Sequence, residues 1–182
     1  MREVRARRGV DLFLLLLLLM PLSARPAHGA EIDIEDRSAD VLGDRIPVFY
    51  RKALQLALEN ANRKLLRLSC QDVFSDFSDR EGRLLAENLR DTGQSPAEYL
   101  QGIRFVDGRW SVPCMSSWIH AWTRPGSRVI HLCLDQFAVM ARETPSAAGN
   151  ILIHEELHAL GLGENPPESR AITSRVTIRC GG

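Results

Sequence analysis

Several things are scarce in this sequence, and each scarcity removes a class of protein. No two of the four cysteines have C-x-x-C spacing, which argues against a cysteine-rich metal site. No internal repeat is present, and the only low-complexity tract is one run of leucines, so repeat architectures are excluded. Neither sign of charge dominates. From Glu31 onward 18 basic residues face 21 acidic ones, a net of −3, which leaves no electrostatic footprint for nucleic acid or an anionic membrane surface. Only Lys52 and Lys64 are lysines; the other basic residues are arginines.

The leucine run itself is short. Leu12 to Met20 follows Arg2, Arg5, Arg7 and Arg8 and precedes Pro21 and the small-residue stretch ARPAHGA. A basic start, a brief apolar stretch and small residues at its end describe a secretory signal over residues 1–30, with cleavage after Gly29 or Ala30. The run is too short for a comfortable permanent span. No cysteine follows it closely enough for a lipoprotein anchor. The chain is therefore expected to be secreted or periplasmic, with no membrane association after cleavage. In an oxidising compartment an even cysteine count implies two disulfides. The expected pairs are Cys114–Cys133 across a hairpin and Cys70–Cys180 tying the C-terminal segment to the first helix.

Residues 31–45 are acidic and poor in large apolar groups, reading as a linker, a short pro-segment or an edge strand. Pro47 opens a helical pattern to Leu68, with Val48, Phe49, Leu54, Leu58, Leu65 and Leu68 near one face. Ser78 and Glu81 have capping-box spacing before a helix that Gly93 stops, and Ser95-Pro96 starts a shorter one. The pattern then alternates. Asp107-Gly108 signals one hairpin and Pro125-Gly126 a second, the latter pairing Trp118 with Cys133, His120 with His131 and Trp122 with Val129. Trp118 and Trp122 are read as core residues, and Asp135 as a cap or turn residue. Thr144-Pro145 begins another helix, ended by Gly161, and AITSRVTIRC (171–180) reads as a short final strand. The fold class is α+β: N-terminal helices, a small antiparallel sheet, a helix carrying the motif described next, and a C-terminal strand, in one domain over 46–182.

That motif is HEELHALGLGENPP, residues 154–167. Four residues advance about 400° around a helix, so His154 and His158 share a face one turn apart and can reach one metal ion. Zinc favours imidazole nitrogen, and a catalytic zinc site has three protein ligands with one position left open. Glu155, angularly adjacent, is placed to take a proton from an attacking water and return it to the leaving group. The competing interpretation is a surface helix with solvated histidines. The apolar Ile151, Leu152 and Ile153 oppose it by drawing the segment into the core. Beyond His158 the only acidic residues are Glu164 and Glu168, with no His or Asp. Gly161 can reverse the chain in the left-handed conformation and Pro166-Pro167 prevents the helix from resuming, so Glu164 is the expected third ligand and Glu168 its competitor.

His154-Glu155-x-x-His158-x-x-Gly161-x-x-Glu164 resembles the zincin metallopeptidases, and specifically the elongated motif of their metzincin branch. That resemblance implies a turn role for Gly161 and a ligand role for Glu164. Two departures are visible: position 164 is Glu, where the branch has His or Asp, and no methionine follows Met140. The gluzincin branch fits less well, because no acidic residue after Glu168 is available on a later helix. The resemblance also implies that an edge strand, here RVIHLC (128–133), binds an extended substrate by strand addition. His131 would then be a possible substrate or oxyanion contact; the competing role is a half-buried strand histidine opposite His120.

These observations lead to an exported zinc-dependent peptidase acting on peptides or proteins. Two alternatives stand beside it: a zinc hydrolase of another amide or ester, and a disulfide-stabilised exported binding domain without catalysis.

Overall fold

The computed structural model of the chain describes residues 46–181, so the signal segment and the acidic linker lie outside the described residues. The elements are α1 (Val48–Leu65), α2 (Leu68–Gln71), a 3-10 turn (Asp72–Ser75), α3 (Leu85–Asp91), α4 (Pro96–Gln101), β1 (Arg104–Asp107), a second 3-10 turn (Pro113–Met115), β2 (Ala121–Trp122), β3 (Val129–Leu132), α5 (Leu134–Glu143), α6 (Pro145–Ala159) and α7 (Ser169–Cys180). This is an α+β protein, as its sequence patterns imply.

Helix α1 is the scaffold. Ala53, Leu54, Ala57, Ala61 and Leu65 are buried at helical spacing and face α5 and α6. Small residues permit a close crossing: a Cβ added at Gly149 of α6 would lie 3.0 Å from the Ala61 nitrogen. The apolar face differs from the expected one at its ends. Val48, Phe49 and Leu68 are exposed, because the buried stripe follows the alanines.

Lys64 belongs to that stripe. Its ammonium donates to the Ser146 carbonyl (2.7 Å), the Ser146 hydroxyl (2.9 Å) and Asn150 Oδ1 (2.6 Å), bridging α1 to α6. Burial, and then the nearby Arg67 charge, push its pKa down to about 8 from 10.5. Between those values the unfolded chain binds more protons than the folded one, so stability rises with pH across that window. The expected gain is about 1–3 kcal/mol, absent in Lys64→Met, as read by denaturant titration at several pH values. A wild-type curve flat over the window would show that the folded ammonium is not penalised.

The sheet is mixed, in the order β1-β3-β2, rather than antiparallel. β1 runs parallel to β3, with Arg104 opposite Val129 and Asp107 opposite Leu132. No hairpin forms at Asp107-Gly108. The Asp107 carboxylate accepts from the Arg109 amide (3.0 Å) and guanidinium (2.7 Å), and the chain turns away from the sheet there. β2 is antiparallel to β3 as expected, but shifted by two residues: Trp122 lies opposite His131, and Ala121 opposite Leu132. The Pro125-Gly126 turn is closed by the Ser127 amide donating to the Arg124 carbonyl (2.9 Å), and the Gly126 amide donates to the His158 carbonyl (2.9 Å), tying the turn to α6.

The final segment is a helix, α7, and not a strand. Ile172, Val176 and Cys180 are buried at spacings of four, a helical stripe, despite the β-branched residues around them. The Ser78/Glu81 capping box is also absent. Ser78 bridges to Leu84, and Asp79 takes the amides of Glu81 and Arg83 instead. The capping box in this region is Ser95–Glu98, at the start of α4.

Both expected disulfides are present. Cys70–Cys180 joins α2 to the end of α7, with Cα atoms 4.4 Å apart. Cys114–Cys133 links the second 3-10 turn to the start of α5, rather than crossing a hairpin. Two disulfides fit an oxidising, extracellular setting, and no helix among the described residues is long and apolar enough to cross a membrane.

Candidate metal centre

Helix α6 starts with Pro145, whose missing amide costs nothing at a first-turn position. From Ala148 onward nearly every residue is buried, so this is a core helix and not a solvated one. It nevertheless carries four ionisable side chains into the interior: His154 at 4 % exposure, Glu155 at 5 %, Glu156 at 0 % and His158 at 4 %. Burying such groups is costly unless they are paired or ligate an ion.

The imidazoles are held from outside the motif. His158 Nδ1 donates to the Leu162 carbonyl (2.8 Å), and His154 Nδ1 meets the Thr173 hydroxyl of α7 (3.0 Å). With Nδ1 occupied, both Nε2 atoms turn to one point and lie 3.0 Å apart. The chain then reverses. Gly161 has φ +115°, and a side chain there would be strained; a Cβ would also lie 3.2 Å from the Asp79 Cβ. The reversal brings Glu164 Oε1 to 3.5 Å from His158 Nε2 and 3.9 Å from His154 Nε2.

Ligand atoms around a single tetrahedral zinc, at about 2.0–2.2 Å from it, are about 3.3–3.6 Å apart. The observed separations of 3.0–3.9 Å bracket that range. Oriented Nδ1 partners are the supporting contacts that metal-binding histidines use. His154, His158 and Glu164 therefore fit a metal ion, and form a group that can hold one. Glu168 does not join them; it is exposed at the start of α7.

The electrostatics separate the carboxylates. Burial, with the Glu164 charge adding to it and a backbone interaction with Thr123 opposing, raises Glu155 to about 8. Glu155 Oε2 has no hydrogen-bond partner. Contacts with His154, then Ser169 and His158, hold Glu164 down to about 2 despite its partial burial. Burial lowers His158, keeping its imidazole neutral. Glu156 is fully buried with neither oxygen hydrogen-bonded, and burial pushes its pKa well above the usual carboxylate range.

A cavity of about 630 Å³ opens over these groups. Trp118, Ile119, His120, Trp122 and Pro125 line it together with His154, Glu155, His158 and Glu164. Here the expectations for the aromatic and strand residues are corrected. Trp118 is 80 % exposed at the cavity and is not core, and Trp122 also lines the cavity. His131 is not among the lining residues. It stacks on the Trp122 ring with centroids 4.1 Å apart, and His120 is the strand-side histidine that reaches the cavity. RVIHLC is the central strand, so the edge beside α6 is β2. Asp135 lies in the first turn of α5 and accepts from the Tyr50 hydroxyl.

Sequence reading missed Thr173 and Ser169, which come from segments without motif spacing, and treated His120 chiefly as the cross-strand partner of His131. It also missed Asp79, whose carboxylate accepts from Asn88 Nδ2 (2.8 Å) while the same nitrogen donates to the Leu160 carbonyl (3.0 Å). Compared with known proteins, the chain matches no family model, no curated protein and no solved structure.

Proposed function

We propose that this protein is an exported, secreted or periplasmic, zinc-dependent metallopeptidase. The observation that carries the reading is the convergence of His154 Nε2, His158 Nε2 and Glu164 within 4.8 Å, beside a buried Glu155, at the floor of an open cavity. Two imidazoles and one carboxylate are a zinc-type donor set with room for a further ligand.

When bound, zinc supplies a Lewis acid that offsets negative charge developing on the substrate carbonyl oxygen. The rest falls to the chain. Thr173 and the Leu162 carbonyl orient the two imidazoles. Glu155, buried beside the two imidazoles with one unpartnered oxygen, would in its ionised form accept a proton from the attacking water and pass it to the leaving amine. The short edge at β2 offers unpaired backbone groups for an extended peptide, and Trp118, Ile119 and Trp122 offer apolar walls.

The test is metal content and peptide cleavage of the disulfide-intact protein. The expected result is one zinc per chain, cleavage of members of a peptide library, loss of cleavage on chelation and recovery on adding zinc. Metal uptake with amide or ester hydrolysis but no peptide cleavage would favour the other zinc hydrolase. No metal uptake even with zinc added would favour a binding domain.

A further inference from the structure

We propose that Arg80 selects the substrate by binding a carboxylate of the peptide, an inference that rests on the peptidase reading above. Arg80 is the one arginine or lysine among the residues lining the cavity, where Glu155 and Glu164 are the other charged side chains apart from the histidines. Arg124 and Arg170, which also form no ion pair among the described residues, do not line the cavity, and several other arginines are already paired. Arg83 pairs with Glu87 and Asp91, Arg109 with Asp107, and Arg179 with Asp72 and Asp76. Among the described residues no carboxylate lies within ion-pair distance of Arg80, and its guanidinium donates no hydrogen bond.

Its position is nonetheless fixed from below. Asp79 Oδ1 accepts the amides of Glu81 (3.0 Å) and Arg83 (2.8 Å), and Oδ2 accepts from Asn88, which also holds the Leu160 carbonyl. The turn bearing Arg80 is thereby tied to the end of α6. Two glycines of the third-ligand turn receive it: a Cβ at Gly161 would meet Asp79 at 3.2 Å, and one at Gly163 would meet Arg80 Nε at 3.4 Å and Cγ at 3.7 Å. The stem of Arg80 thus lies along the Gly163 backbone, one residue from Glu164. Glu164 is already engaged by the imidazoles and Ser169, which leaves the planar donors of Arg80 for an incoming group. A guanidinium matches a carboxylate bidentately, and a free one in a cleft that has no other arginine or lysine discriminates peptides by charge. The carboxylate is either an acidic side chain near the scissile bond or a free C-terminus.

Four peptides with one core distinguish these sources: Glu or Gln at the varied position, each with a C-terminal acid or amide. In zinc-loaded wild-type protein, the carboxylate-bearing peptide should exceed its neutral counterpart in kcat/KM by about 10–100-fold, mainly through KM. In Arg80→Ala that ratio should collapse towards one, and in Arg80→Glu it should invert. A ratio that depends on the Glu/Gln change assigns an acidic side chain; one that depends on acid against amide assigns the C-terminus. Affinities of the same peptides for zinc-loaded Glu155→Gln protein, with and without Arg80→Ala, should repeat the pattern without turnover. Equal rates and affinities for all four peptides in wild type, with cleavage intact, would overturn the role of Arg80 and leave the peptidase standing. Failure to bind zinc or to cleave any peptide would overturn both.

Discussion

Glu155→Gln is expected to retain stoichiometric zinc and lose about 10²–10⁴-fold in peptide cleavage. Glutamine keeps the shape of the side chain and one carbonyl oxygen, but it cannot take a proton. The position tolerates the change structurally, because Glu155 Oε2 has no partner and the glutamine carbonyl can keep the backbone contact with Thr123. Removing an ionisable group from a buried site should, if anything, raise the melting temperature. Three readouts therefore separate: zinc per chain unchanged, stability unchanged or higher, turnover nearly gone. A glutamine variant that cleaves at the wild-type rate would remove Glu155 from the proposed mechanism.

The second large effect concerns Glu164. Glu164→Ala leaves two imidazoles, a weak trap for zinc. Zinc affinity should fall by more than the roughly 10–100-fold that loss of a supporting contact to a ligand costs, and cleavage should be abolished. Glu168→Ala should be near neutral, since Glu168 is exposed and outside the cluster. Equilibrium dialysis against a competing chelator measures both. The reverse pattern would assign the third ligand to Glu168, and unchanged affinity in both variants would mean that neither carboxylate ligates.

What was legible from sequence divides by distance along the chain. The three candidate ligands and Glu155 fall within 11 residues, where helical periodicity and one glycine turn determine who can meet whom. The helices starting near Pro47, Pro96 and Pro145 were legible for the same reason: their proline and capping signals are local. Errors arose where a partner was distant. Asp107-Gly108 has hairpin chemistry, but β1 found its neighbour some 25 residues later in a parallel register that no turn dipeptide encodes. Thr, Ile and Val gave residues 171–180 the appearance of a strand, whereas docking of Ile172, Val176 and Cys180 required a helix. The tryptophans at 118 and 122 were assigned to the core by residue type, although the cavity takes them. Lys64 shows the converse: a residue type normally solvated became the polar bridge between two helices.

Helix α7 supplies no ligand, yet Thr173 meets one histidine and Ser169 contributes to holding Glu164. It is anchored through Cys180 to Cys70, 110 residues away in sequence. The centre is therefore not portable. Transplanting residues 154–164 onto another scaffold would carry every donor atom but none of the contacts from Thr173 and Ser169 that set ring rotation and carboxylate charge. It would also leave behind Asp79 and Asn88, which clamp the end of the helix. Such a graft would reproduce the motif and lose the pre-set arrangement that distinguishes a binding site from three side chains free to rotate.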